Sequence, residues 1–229
     1  NGKGPALVRE LPSLASMSPA EFRKAAEKRN TIILDIRSYE AFGGQHVPGS
    51  FHIDFGGNFS TFAGWILPPD QNVLLVADSF AEAQEASVLL RRVGLDRAAG
   101  YLDGGMFAWA KEGLPTNHVP QLSAAELNKM MAKGKELLLI DVRAAGEFQA
   151  RHIEGAVNIP APDLRTRRKT LQKSKPVALI CSTGHRSSLA AALLKQAGIE
   201  NVCNVAGGMT GYSAAGYSEA CPICVAPHI

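Results

Sequence analysis

Apolar residues recur along this chain in two rhythms. Unbroken apolar runs at Thr31–Ile36, Val73–Ala77, Leu137–Val142 and Val177–Ile180 predict strands buried on both faces. Helical spacing follows two of them, from about Glu82 to Val93 and through the Ala/Leu-rich Leu189–Leu194, with Gly198 where a helix would end. Ser18-Pro19-Ala20-Glu21 and Ser123-Ala124-Ala125-Glu126 have the spacing of capping boxes and predict two more helix starts. The first also has Pro at the first helical position. Asn201–Ala206 reads as another strand, and the Gly/Phe-rich Phe55–Trp65 as a loop. Residues 1–13, rich in Gly and Pro and without a period, read as a tail or linker.

The order of these elements repeats. Asp35-Ile36-Arg37 returns as Asp141-Val142-Arg143, a shift of 106 residues, and Val73 returns as Val177, a shift of 104. His46 to Ser50 returns as His152 to Ala156, and Gly104-Gly105-Met106 as Gly207-Gly208-Met209. A repeat this long is not a solenoid and suits two tandem copies of a small domain, expected over 14–115 and 120–229. Leu114–Pro120 reads as the linker. Strands alternating with helices predict an α/β class, each copy a mostly parallel sheet with helices on both faces.

One stretch carries candidate chemistry. Between the strand at Val177 and the helix through Leu189 lies Cys181-Ser182-Thr183-Gly184-His185-Arg186, followed by Ser187 and Ser188, either placed to cap. A cysteine at the C-terminal end of a parallel strand sits where open α/β sheets bind ligands. Backbone N–H groups of a wrapping loop, the helix dipole and Arg186 favour negative charge at the sulfur and would hold an anion beside it. The expectation is a nucleophilic cysteine acting on an anionic substrate. A buried, inert thiol is the bland alternative.

The first copy lacks this chemistry. Sliding by 104 residues puts Ala77 under Cys181, Phe80 under Gly184, Ala81 under His185 and Glu82 under Arg186. The nucleophile is gone, the cation has become an anion, and Asp78 and Glu82 would repel an anionic substrate. The first copy is expected to be inactive. Asp35, Arg37, Asp141, Arg143, His46 and His152 occur in both copies, which argues for structural work.

Composition narrows the classes. The 229 residues are 46% hydrophobic with a net charge of +3, and no basic stripe with interleaved aromatics points to nucleic acid. No apolar run reaches membrane-spanning length and no signal-peptide pattern appears, so a cytoplasmic location is expected. Four cysteines are too few and too unevenly placed for a disulfide scaffold.

The Cys-x-x-Gly-x-Arg loop from Cys181 to Arg186 resembles the active-site loop of the rhodanese family of sulfurtransferases. The Asp-x-Arg, His-Ile-x-Gly-Ala and Gly-Gly-Met markers extend the resemblance from residue 14 to about 215. Related phosphatase loops carry one more residue between cysteine and arginine, which weighs against a phosphatase or arsenate reductase. The resemblance implies two tandem rhodanese-like domains, the second active. It implies that Cys181 takes a sulfane sulfur from thiosulfate or a small persulfide and passes it, as a persulfide, to a thiol, sulfite or cyanide. Ser182, Thr183, Gly184, His185, Arg186 and Ser187 would bind substrate, their amides cradling the outer sulfur. Arg186 would hold the donor's anionic part or brace the loop. No cofactor or metal is implied. The rival from another class is a non-catalytic sulfur-relay or scaffold module.

A degenerate copy followed by a live one, with Phe59–Trp65 and the opening Asn-Gly-x-Gly-Pro, is similar to the C-terminal part of metallo-β-lactamase-fold/rhodanese fusions. Such fusions are associated with persulfide dioxygenase chemistry. A chain that opens on Asn1 leaves room for that preceding domain. Three features stand apart from the loop. The basic run Arg165, Arg167, Arg168, Lys169, Lys173, Lys175 could steer an anionic carrier, but a solvated face is the plainer reading. Cys203 reads as a core thiol. Cys221-Pro222-Ile223-Cys224 could serve as a redox or relay pair.

Overall fold

The computed structural model describes residues 14–56, 58–133, 136–168, 171, 175–217 and 220; the candidate pair Cys221 and Cys224 lies outside them. The first copy runs β1 (Ala15–Met17), α1 (Pro19–Ala26), β2 (Thr31–Asp35), α2 (Tyr39–Gly44), β3 (Phe51–His52), α3 (Phe59–Ile66), β4 (Asn72–Val76), α4 (Phe80–Arg91), β5 (Ala98–Leu102) and α5 (Gly105–Lys111). The second runs β6 (Gln121–Leu122), α6 (Ala124–Ala132), β7 (Leu138–Asp141), α7 (Ala145–Ala150), β8 (Val157–Asn158), α8 (Ala161–Arg167), β9 (Val177–Ile180), α9 (His185–Gln196), β10 (Val202–Val205) and α10 (Gly208–Ala214).

Two five-stranded parallel sheets result, ordered β1-β5-β4-β2-β3 and β6-β10-β9-β7-β8. Both helix starts expected from capping boxes form: Ser18 and Ser123 each accept from the backbone N–H of a glutamate three residues on, whose carboxylate binds back. The expectation of a loop over Phe55–Trp65 is corrected, because α3 occupies most of it. Phe59, Ala63 and Ile66 fall on one buried face at helical spacing, and the glycines around them masked that period.

The chain divides into two compact units that do not follow its linear order. The described residues up to Arg37 join Phe55–Pro115, while Ser38–Asp54 joins the described residues from Thr116 onward. In the second unit the expected linker is pinned: His46 and Asn117 exchange backbone hydrogen bonds of 2.8 and 2.9 Å, and Val119 N–H donates to Gly43 O. Strand β9 is buried throughout and ends at the loop that begins with Cys181. Helix α9 is buried along Ser187–Leu194 and packs on β3, α2, α8, β9 and β10, which is why it lacks a polar stripe. Each fully buried Leu or Val there contributes about 1.5–3 kcal/mol against exposure, so strand and helix form a stiff mount for the loop.

Candidate active site

The loop begins where β9 pairs with β7, with Ile180 opposite Asp141. Cys181 is 1% exposed, and its Sγ accepts from the Gly184 N–H at 3.1 Å and the Ser187 hydroxyl at 3.3 Å. Gly184 is the cap of α9, at φ +106, with no side-chain cap; the expectation that Ser187 or Ser188 caps is corrected. Both serines lie inside the first turn, because the left-handed glycine already turns the chain into the helix. Ser187 Oγ also lies 3.1 Å from Gly184 O, so its one hydroxyl proton is shared between that carbonyl and the sulfur, and Ser188 Oγ meets His52 Nδ1 at 3.0 Å.

Tyr39 lies directly against Gly184: a Cβ there would come within 3.0 Å of its ring. Burial raises the Tyr39 pKa, and the Gly207 backbone hydrogen-bonds its hydroxyl. The Gly207-Gly208-Met209 marker explains itself here. Met209 N–H donates to Cys181 O at 2.8 Å and Thr210 N–H to Ser182 O at 3.0 Å, and a Cβ on Gly208 would overlap the Cys181 carbonyl. Helix α10 therefore clamps the loop by its first turn.

Arg186 braces the loop. Its guanidinium donates to both Glu147 carboxylate oxygens at 2.7 and 2.9 Å, and to Ser182 Oγ at 2.8 Å. Ser182 Oγ in turn donates to Glu147 Oε1 at 3.2 Å. The Arg186 contact holds the Glu147 carboxyl down at about 2, and the same contact raises Arg186. The side chains of Ser182 and Thr183 are thus directed to neighbours other than the sulfur: Thr183 Oγ1 meets His185 Nδ1 at 3.0 Å. His185 is half exposed, with Nε2 3.5 Å from Asp54 Oδ2 and its ring edge-on to Tyr39.

Sequence reading missed Glu147, Tyr39, Asp54 and His52. A signal for Glu147 was present: the 106-residue shift places Ala41 under it, so the first copy loses both Glu147 and Arg186. The residues common to both copies do structural work. Arg37 and Arg143 each grip a buried aspartate, with closest contacts of 2.6 Å to Asp35 and Asp141. His46 and His152 donate from Nδ1 to Phe42 O and Phe148 O and stack on those rings.

In the first copy Ser79 caps α4 through the Glu82 N–H at 3.2 Å, and no residue from Ala77 to Phe80 is left-handed. No cradle is built there. A cavity of about 320 Å³ opens at this position, between Asp78, Phe80, Tyr101 and Phe107.

Cys203 is half-buried against the second core, and burial pushes its thiol up to about 12. Of the basic run, Arg165 and Arg167 are exposed on α8, and Lys169 and Lys173 lie outside the described residues. Among the described residues no three His, Cys, Asp or Glu side chains group to hold a metal, and no helix is long and apolar enough to cross a membrane.

Comparisons with known proteins bear on the same elements. The family model for the rhodanese-like domain matches residues 18–112 and 123–215. A sulfurtransferase of Allochromatium vinosum is 28% identical over 104 residues, covering 45% of this chain and 97% of that protein. The uncharacterised protein YqhL of Bacillus subtilis is 43% identical over 70 residues, covering 31% of this chain and 56% of its own. The chain spans about half the length of several curated relatives it matches. Among solved structures, thiosulfate sulfurtransferase from Pseudomonas aeruginosa aligns with a TM-score of 0.41 at 21% identity, over 90% of this chain and 43% of that one. With two matched domains covering most of its length, the chain belongs to the rhodanese-like domain family.

Proposed function

We propose that this protein is a rhodanese-type sulfurtransferase that carries sulfane sulfur on Cys181. The observation that carries the reading is the placement of Cys181 Sγ at the end of β9, within reach of two hydrogen-bond donors at the start of α9. First-turn N–H groups of a helix lack intrahelical partners and favour negative charge nearby. Cys181 attacks the outer sulfur of a donor such as thiosulfate or a small persulfide. The bond from that sulfur to the rest of the donor breaks, and sulfite or a thiolate leaves. The acceptor then attacks the outer sulfur and releases Cys181 as the leaving group. A sulfurtransferase among the relatives supports the same class of reaction.

Within this mechanism Arg186 keeps the loop's shape, since its charge is met by Glu147. Holding the donor's outer sulfur falls to the Gly184 amide and Ser187, the two groups that reach Cys181 Sγ. The short loop, with four residues between Cys181 and Arg186, favours a terminal sulfur over a tetrahedral oxyanion. Turnover tests the reading: wild type should transfer sulfur from thiosulfate or glutathione persulfide to cyanide or sulfite, and Cys181→Ser should not. Failure to turn over while still accepting sulfur would favour a relay module; phosphatase or arsenate reductase activity without transfer would overturn both.

A further inference from the structure

The loop holds a second hydrogen-bonded group that the sulfur chemistry so far leaves idle. Nδ1 of His185 meets Thr183 Oγ1 at 3.0 Å, and Nε2 lies 3.5 Å from Asp54 Oδ2. Asp54 follows β3 and is itself fixed by the Tyr39 N–H, 3.1 Å from the same oxygen. Tyr39 stands edge-on to the imidazole, ring centres 5.2 Å apart, which limits how the ring can turn. The first copy has Ala81 in place of His185, so this arrangement accompanies the nucleophile and not the fold.

The other charged groups near the loop cannot do the same work. Arg186 cannot give up its proton at accessible pH and is tied to Glu147. Glu40, on α2, feels the charge of His185 but is exposed and directed to Tyr39 and Ser38. Burial raises the Asp54 pKa, while the charge of His185 and the Tyr39 N–H oppose that rise. Among the described residues, the groups that meet or act on His185 are Asp54, Glu40 and Tyr39 from the 38–54 segment and Thr183 from the loop, with Arg186 next to it in sequence on α9.

We propose that Asp54, His185 and Thr183 form a proton relay that activates the thiol accepting sulfur from Cys181. This rests on the sulfurtransferase reading and deepens it by naming a protonated thiol as the acceptor class. Asp54 faces Nε2–H, leaving the Nδ1 lone pair toward the Thr183 hydroxyl, the ordering of a base held by a carboxylate. The acceptor thiol gives its proton to Thr183 Oγ1, and the threonine's own hydroxyl proton passes to Nδ1. The thiolate so formed attacks the outer sulfur of the Cys181 persulfide. The sulfur–sulfur bond to Sγ breaks, Cys181 leaves with the electron pair and takes up a proton from solvent, to which the half-exposed imidazolium gives its own. The sum is Cys–S–SH plus R–SH giving Cys–SH plus R–S–SH, with nothing oxidised or reduced overall. Asp54 acts through His185 and is a positioning residue.

Single-turnover discharge of persulfide-loaded protein tests this, with glutathione and sulfite as alternative acceptors between pH 6 and 9. Sulfite above neutral pH arrives as an anion with no proton to remove. Asp54→Asn, His185→Gln and Thr183→Val should each load sulfur normally, slow discharge to glutathione by about 10- to 100-fold and flatten its pH profile. Discharge to sulfite should stay within about twofold, and Asp54→Glu should restore most of the glutathione rate and its pH profile. Equal slowing with both acceptors, or unchanged glutathione discharge in Asp54→Asn, would overturn the relay. Failure of wild type to load sulfur at all would overturn the sulfurtransferase reading, and the relay with it.

Discussion

At the scale of single residues, the contact that shapes the loop is the Glu147–Arg186 pair. Glu147 ionises at about 2, well below its ordinary 4.5, mainly because Arg186 donates to it. A carboxyl lowered on folding stabilises the native state fully above 4.5, and that contribution fades as the pH falls toward about 2. The Glu147 side chain is 39% exposed, so solvent screens much of its effect on stability, and the clearer readout is the loop itself. The Arg186 side-chain NMR resonances should stay fixed from pH 8 to 5 in wild type. In Glu147→Gln they should move and broaden at every pH, with transfer slowed about tenfold or more by the misplaced loop.

The sequence made Cys181, Gly184 and Arg186 legible as a motif. It did not show what Arg186 pairs with, because Glu147 lies 39 residues upstream and meets it only when α7 and α9 pack. Asp54 was less legible still. It is written in the first copy, where the matching position of the second is Pro160, so the repeat gave no hint of its work.

At the scale of elements, apolar runs and capping boxes located strands and helices well, since both signals are local. β9 falls where its run predicts, Val177–Ile180. Helix α3 was hidden because its signal is three buried side chains on one face, set among glycines that argue for a loop. The Gly-Gly-Met marker was visible without its reason, which is the close approach of α10 to the Cys181 carbonyl. Gly208, at φ +54, has neither room nor conformational freedom for a side chain. Gly208→Ala should therefore lower unfolding stability by at least about 1–3 kcal/mol in urea titration. It should also slow sulfur transfer, because the displaced α10 releases Cys181 O and Ser182 O together. Full activity in a folded variant would show that the clamp is dispensable.

At the scale of the whole molecule, the chain repeats one architecture, and the Cys181–Arg186 loop stands in its second copy without a counterpart in the first. The first copy keeps the sheet order and the buried Asp35–Arg37 pair, yet its loop is capped by Ser79 and contains no left-handed glycine. Supplying a nucleophile alone should not revive it. In a Cys181→Ser background, Ala77→Cys should gain no sulfur from thiosulfate or glutathione persulfide, because no cradle holds one there. Sulfur loaded on the introduced thiol would contradict the reading that the first copy has no cradle for it.

If Cys181 carries the sulfur, the mass of the intact protein changes after brief exposure to thiosulfate or glutathione persulfide. Wild type should gain one sulfur, about 32 Da, and Cys181→Ser none. An adduct that survives the substitution, or its absence from wild type, would mean that Cys181 is not the sulfur carrier.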